Sequence, residues 1–115
     1  MKRIILLCSL LALPLAAQQY KIAIAGLGHS HVNSHLGRIL KSDEVKLVGI
    51  WETEPSLIEQ AKKRGATDVP YFSDLNTMLG QTKPDIVWAF TPTYQHLDVV
   101  QTCAPRKISV MVEKP

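Results

Sequence analysis

The sequence predicts an α/β fold, a doubly wound parallel sheet of the Rossmann type with strand order 3-2-1-4-5. Short apolar runs alternate with segments whose apolar residues recur at helical spacing. The runs are apolar on both faces, as is typical of parallel strands that helices cover on both sides. Right-handed crossovers leave few topologies for five such strands, and 3-2-1-4-5 is the simplest. Only five strands are predicted, so we expect the sheet to be incomplete at its C-terminal side.

Residues 1–17 are set apart from this fold as a signal peptide. A short basic start is followed by an almost unbroken apolar run over residues 4–13, and Ala17 precedes the polar pair Gln18-Gln19. This layout is that of a secretory leader cleaved after Ala17, the alternative being a buried first strand or helix. We therefore expect export, to a bacterial periplasm. Without cleavage, or with a different start, the protein would be cytoplasmic.

The composition and charge exclude several classes of partner. With 46% hydrophobic and 20% charged residues, the chain is typical of a globular domain. Cleavage removes Lys2 and Arg3 and lowers the formal net charge from +3 to +1, so no basic patch indicates nucleic acid or a membrane surface. Cleavage also removes Cys8 and leaves Cys103 as the one cysteine. No other segment is apolar enough for a membrane helix, so no membrane association is expected after cleavage.

The strands are buried apolar runs bounded by glycine, proline or charged residues. The third is expected at a sheet edge, because Pro70 cannot donate to a ladder. The predicted strands are residues 21–25, 45–51, 69–72, 85–90 and 108–112.

Helices are predicted between the strands. Apolar residues at helical spacing place the first helix over residues 32–40. Thr53 and Ser73 are the predicted N-caps of the second and third helices, which end at Gly65 and Gly80.

The fourth predicted helix extends from His96 to Ala104, and Pro105 ends it. Its apolar spacing predicts that Leu97, Val100 and Cys103 face inward.

Gly26 and Gly28 lie between the first strand and the first helix, where a phosphate-binding turn is found in dinucleotide-binding folds. The first glycine permits the tight turn, and the second lets backbone N–H groups approach a pyrophosphate at the helix N-terminus. The third position of the G-x-G-x-x-G pattern is His31, so the match is imperfect. An ordinary turn that uses glycine for its backbone angles remains the alternative.

Glu52 ends the second strand, where an acid accepts hydrogen bonds from the adenosine ribose hydroxyls in such folds. A carboxylate there repels a 2′-phosphate, and no Arg or Lys stands close by. This favours NAD over NADP. The alternative is a solvated carboxylate at a strand end.

Two further segments follow buried strands, whose carboxyl ends line the ligand crevice. TPTYQH, residues 91–96, places Thr91 and His96 where they can face a cofactor. EKP, residues 113–115, brings Lys114 to the crevice, where it can hydrogen-bond a substrate oxygen or assist proton transfer. The alternatives are an exposed histidine at a helix start and a solvated lysine.

Together these pieces resemble the Gfo/Idh/MocA oxidoreductases. IAIAGLGHSHV, GIWETEP, TPTYQH and VEKP occur in the family's order and spacing over residues 21–115. The resemblance implies a Rossmann domain that binds NAD or NADP, followed by a larger α/β domain with the substrate site, and hydride transfer on sugars, cyclitols or related polyols. It implies that Lys114 is the active-site lysine. The expected cofactor-binding residues are Gly26, Leu27, Gly28, His29, Ser30, His31, Glu52, Thr91, Pro92, His96 and Glu113.

The family's second domain has no counterpart in residues 20–115, which we interpret as the dinucleotide-binding domain alone. We therefore expect a fragment that is inactive by itself, with a polyol substrate and oligomerisation only in a full-length form. One alternative is a stand-alone nucleotide-binding or interaction module. Another is a zinc-dependent hydrolase that uses His29 and His31, or the four-residue spacing of His31 and His35. We expect no metal site, because no later cluster of ligands is apparent.

Overall fold

The computed structural model describes residues 18–115, so the predicted leader lies outside the described residues. Five parallel strands form one sheet in the order β3-β2-β1-β4-β5, which confirms the predicted fold class and topology. The strands are β1 (Tyr20–Ala25), β2 (Val45–Trp51), β3 (Tyr71–Phe72), β4 (Ile86–Ala89) and β5 (Ser109–Val112).

Each crossover between strands contains a helix. The helices are α1 (Val32–Lys41), α2 (Pro55–Lys63), α3 (Leu75–Thr82) and α4 (His96–Cys103), with 3-10 turns at Thr93–Gln95 and Ala104–Arg106. Among the described residues, no helix has the length and apolarity needed to cross a membrane.

The sheet buries a separate apolar layer on each face, because alternate strand residues point in opposite directions. On one face, Ile22 and Ile24 of β1 pack with Leu36 of α1 and Ala61 of α2. On the other face, the small side chains of Ala23 and Ala25 leave room for α3 and α4, which contribute Met78, Leu79, Val99 and Cys103.

Two predicted N-caps are wrong by one residue. Glu54, not Thr53, caps α2, and its side chain accepts a hydrogen bond from the Ser56 N–H at 3.3 Å. Asp74, not Ser73, caps α3. A single oxygen of Asp74 accepts from both the N–H and the hydroxyl of Thr77, each at 2.7 Å, and so satisfies a free donor of the first turn.

The predicted end of α3 is also wrong, and the predicted inner face of α4 is confirmed only for Cys103. The α3 helix continues through Gly80 to Thr82 and ends where Lys83 takes a left-handed conformation, with φ of 44°. In α4 the buried residues are Val99 and Cys103, whereas Leu97 is 63% exposed and Val100 39% exposed. The buried pair, Val99 and Cys103, is four residues apart and so also fits helical spacing.

Candidate functional site

The two glycines of the turn after β1 differ in the space that an added side chain would find. Gly26 has φ of 77°, and a Cβ at this residue would lie 2.6 Å from Cγ2 of Thr91. A Cβ on Gly28 would meet only the Phe90 carbonyl oxygen, at 3.9 Å. Gly26 is therefore required by the fold, whereas Gly28 keeps the outer side of the turn open for a ligand to approach the backbone.

Glu52 reaches from the end of β2 to this turn. Its Oε2 accepts a hydrogen bond from the Leu27 N–H at 2.8 Å. Its Oε1 accepts from the N–H groups of Thr53 and Glu54, at 2.8 and 2.9 Å. Three donors thus fix the carboxylate, which is not the freely solvated group of the alternative interpretation.

Thr91 lies beneath the turn at the end of β4. The residue is 2% exposed, and within residues 18–115 its Oγ1 has no hydrogen-bond partner. A buried hydroxyl without a partner destabilises a protein unless a ligand or water supplies one. Thr91 lines a cavity of about 240 Å³ together with residues of the glycine turn, of the end of β2 and of the segment after β4: Gly26, Gly28, Trp51, Glu52, Thr53, Leu57, Pro92 and Gln95.

His96 contacts the backbone of the same segment. Its Nε2 lies 3.2 Å from the Thr91 carbonyl oxygen, and the ring is partly buried at the start of α4. This contact holds the backbone of Thr91 in place. Of the residues predicted in this segment, Thr91 and Pro92 line the cavity. His96 does not line it, and its contact is with the backbone of Thr91.

The loop histidines make a second cluster with Glu113, outside the lining of the cavity. His31 Nδ1 and Glu113 Oε2 are 2.7 Å apart, and the other oxygen of Glu113 accepts from the Trp88 indole N–H at 3.1 Å. The side chain of Glu113 is 10% exposed and that of His31 42%. His29 donates its N–H to the Phe90 carbonyl oxygen at 2.8 Å, and its Nδ1 accepts from the His31 N–H at 3.2 Å.

These contacts perturb the carboxyl of Glu113. The hydrogen bond with His31 lowers its pKa from the ordinary value, burial opposes this, and the Trp88 indole N–H lowers the pKa further. The carboxyl is consequently ionised at neutral pH. It joins the loop after β1 to the end of β5.

The remaining predicted site residues lie at the same edge of the sheet with fewer contacts. Leu27 is buried and Ser30 is exposed in the loop before α1. Lys114 is exposed immediately after Glu113. Sequence reasoning missed Trp88, which anchors Glu113; the alternation along β4 places it on the same face as Phe90 and was the available signal. His35 packs against the Trp88 ring, with centroids 4.4 Å apart.

The comparisons with known proteins agree with this geometry. Residues 20–115 match the model of an oxidoreductase family with an NAD-binding Rossmann fold. The chain belongs to the Gfo/Idh/MocA oxidoreductase family. As an NAD-binding domain of this family, it has the glycine turn, acidic strand end and crevice residues at the expected edge of the sheet.

Solved structures of similar fold include two dehydrogenases with bound cofactor. Scyllo-inositol dehydrogenase from Lactobacillus casei, with NAD(H) and scyllo-inositol, is 27% identical with a TM-score of 0.72; the match covers 85% of this chain and 28% of that one. The WlbA dehydrogenase from Bordetella pertussis, in complex with NADH and UDP-GlcNAcA, is 29% identical with a TM-score of 0.73, covering 85% and 29%.

A curated relative, the 4-hydroxy-tetrahydrodipicolinate reductase of Listeria innocua, is 34% identical over 77 residues, which is 62% of this chain and 28% of the relative. The chain thus spans about 30% of the length of the proteins that it matches.

Proposed function

We propose that this domain serves an NAD-dependent oxidoreductase that transfers a hydride to or from a sugar, cyclitol or related polyol, and that it prefers NAD to NADP. The observation that carries the proposal is the cavity between the glycine turn, Glu52 and Thr91. It offers an open backbone at Gly28, a fixed carboxylate, and a buried hydroxyl that has no partner within residues 18–115.

The residues of the cavity fit the parts of a dinucleotide. The open side of the turn at Gly28, at the start of α1, suits a pyrophosphate, since no side chain caps that helix. His29, Ser30 and His31 continue the same loop, outside the lining of the cavity. The Thr91 hydroxyl can donate to a ligand oxygen, which would give it a partner that residues 18–115 do not supply.

The preference for NAD follows from charge. Glu52 can accept hydrogen bonds from the ribose hydroxyls, and its negative charge repels a 2′-phosphate. The residues that line the cavity include no Lys or Arg to offset that repulsion.

Lys114 is the residue we assign to the substrate. It is exposed at the carboxyl end of β5, at the edge where the cofactor residues meet. Its ammonium can hydrogen-bond the hydroxyl or carbonyl oxygen of a polyol at the reacting carbon, while a bound nicotinamide accepts or supplies the hydride. The polyol class is supported by the inositol and sugar-nucleotide dehydrogenases of similar fold. The family resemblance implies that further substrate contacts and the oligomer interface lie in a second domain, and we expect turnover in a protein that includes it.

Titration of NAD and NADP into the wild-type chain and Glu52→Gln tests the cofactor preference. The substitution keeps the size of the side chain but removes the charge that would meet the ribose hydroxyls. We expect NAD to bind about ten- to a hundredfold more weakly, because a hydrogen bond to a charged group contributes about 1.5–3 kcal/mol. The discrimination against NADP should shrink. Calorimetry measures both constants.

Glu54→Gln is the matched control, because Glu54 lies outside the cavity lining and contacts Ser56 through its side chain. It should leave both affinities unchanged. An unchanged NAD to NADP ratio in Glu52→Gln would remove Glu52 from the site.

A further inference from the structure

We propose that His29, His31 and Glu113 form a binding site for a divalent transition metal ion, distinct from the dinucleotide cavity. Each residue offers one ligand atom, and the three atoms lie within 4.8 Å of one another. Two imidazoles and one carboxylate are a donor set that binds zinc in catalytic sites, where a further position stays open to water or substrate.

The loop after β1 brings the two histidines together. His29 is fixed through its N–H to the Phe90 carbonyl oxygen at 2.8 Å, and α1 begins directly after His31. The rings meet edge to face, with centroids 4.5 Å apart. His29 and His31, two residues apart in the sequence, thus have their rings side by side in the fold.

Glu113 completes the set from the opposite direction. It follows β5, 82 residues along the chain from His31, and lies at 2.7 Å from the His31 ring. A metal ion with bonds of about 2.0–2.2 Å holds two tetrahedral ligands roughly 3.3 Å apart. Replacing the hydrogen of this contact by the ion therefore requires an opening of about 0.6 Å. The other contact that must yield, from the His31 N–H to His29 Nδ1, is long at 3.2 Å.

A hydrogen bond from a neighbouring side chain orients the Glu113 carboxylate, as is common for groups that bind a metal ion. The Trp88 indole N–H donates to the Glu113 oxygen that does not face His31. The ring of His35 packs against that indole and holds it in place. One carboxylate oxygen is thereby held, and the other is directed at the two histidines. Partial exposure of His31 leaves a path for an ion to enter.

None of the three residues lines the cavity that contains Glu52 and Thr91. An ion bound by these three residues would fix the loop that ends at His31 against the strand end that precedes Lys114. Binding can be measured without any cofactor or substrate.

Equilibrium dialysis of the untagged chain against micromolar Zn²⁺, followed by elemental analysis, tests the proposal. We expect about one equivalent of zinc per chain in the wild type, and a loss of affinity of tenfold or more in His31→Gln and in Glu113→Gln. Co²⁺ bound in place of zinc should give the visible absorption of a four-coordinate ion in the wild type and lose it in both variants.

Glu44→Gln is the control, because the Glu44 side chain is exposed before β2 and lies outside the ligand set. It should keep the stoichiometry and affinity of the wild type. Circular dichroism establishes that each variant is folded, and His29→Gln replaces any variant that is not. No zinc in the wild type, or equal zinc in all variants, would overturn the site. NAD titrated in the presence of a chelator reports on the cofactor cavity independently.

Discussion

Gly26 is the residue at which one added methyl group meets the most resistance. Its backbone is left-handed, and the added Cβ would overlap Cγ2 of Thr91 at 2.6 Å. Left-handed backbone is unfavourable by about 1–2 kcal/mol for other residues, and overpacking adds a similar amount. We expect Gly26→Ala to lower the free energy of unfolding by about 2–4 kcal/mol, as measured by urea denaturation.

Two other glycines serve as controls for this substitution. Gly37 lies within α1, and a Cβ there meets nothing within 4 Å. Gly37→Ala should therefore stabilise the chain slightly, by about 0.5–1 kcal/mol. Gly28→Ala should leave stability near that of the wild type. A Gly26→Ala variant as stable as the wild type would show that the turn relaxes freely.

Some residue roles follow from neighbouring residues in the sequence, whereas others depend on residues far along the chain. The turn at Gly26 and Gly28 could be predicted, because a strand, two glycines and a helix follow one another in the sequence. The contact of His31 with Glu113 spans 82 residues and depends on β5 lying beside β4, so no local pattern contains it. For this reason the sequence analysis did not associate Glu113 with the loop histidines.

At the scale of elements, the cap of α3 makes stability depend on pH. Hydrogen bonds from the Thr77 hydroxyl, and then from its backbone N–H, lower the pKa of Asp74 from the ordinary 3.8. The unfolded carboxyl binds a proton first as the pH falls, so acidification favours the unfolded chain. The stabilisation is present above about pH 3.8 and should be lost as the pH falls through the folded-state pKa.

Asp74→Asn isolates this effect, because asparagine caps helices about as well as aspartate but does not titrate. The melting temperature of the wild type should fall relative to that of Asp74→Asn below pH 3.8 and not between pH 5 and 7. Asp74→Ala, which removes the cap, should melt lower than both at neutral pH. Parallel curves for the wild type and Asp74→Asn would exclude the carboxyl as the cause.

The presence of each helix and strand could be predicted from the sequence better than the helix caps and the buried face of α4. Every predicted strand and helix of the described residues is present, because apolar spacing reports the period of the backbone directly. The caps of α2 and α3 were placed one residue early, because Ser, Thr, Asp and Glu side chains at adjacent positions compete for the same N–H groups. The inner face of α4 was misplaced because the apolar residues of this helix fit more than one face at helical spacing.

At the scale of the whole molecule, the parallel topology of the sheet brings the residues of the candidate site to one edge. The carboxyl ends of β1, β2, β4 and β5 lie at one edge, and each is followed by a residue of the candidate site. Strand order could be predicted from connection rules alone, which is why Gly26, Glu52 and Thr91 were correctly expected together. The depth of Thr91 beneath Gly26 depends on side-chain packing between strands and needed the structure.

The start of the described domain also bears on the proposed export. The Tyr20 N–H, at the beginning of β1, donates to the Glu44 carbonyl oxygen at 2.9 Å, and the Gln19 side chain donates to the Asp43 carbonyl oxygen at 3.1 Å. Cleavage after Ala17 would therefore leave the sheet and both contacts intact.

We propose that the exported protein begins at Gln18. Expression of the full chain in a bacterium, osmotic release of the periplasm and intact-mass measurement test this. We expect a periplasmic species that lacks residues 1–17, because the basic start and apolar run direct export and a small residue precedes the cut. Ala17→Arg should block processing at this site and leave the leader attached, whereas Gln19→Asn, beyond the small residue that the cut requires, should be processed normally. A wild-type protein that retains Met1 in the cytoplasm would refute the leader and restore the interpretation of residues 1–17 as part of the mature chain.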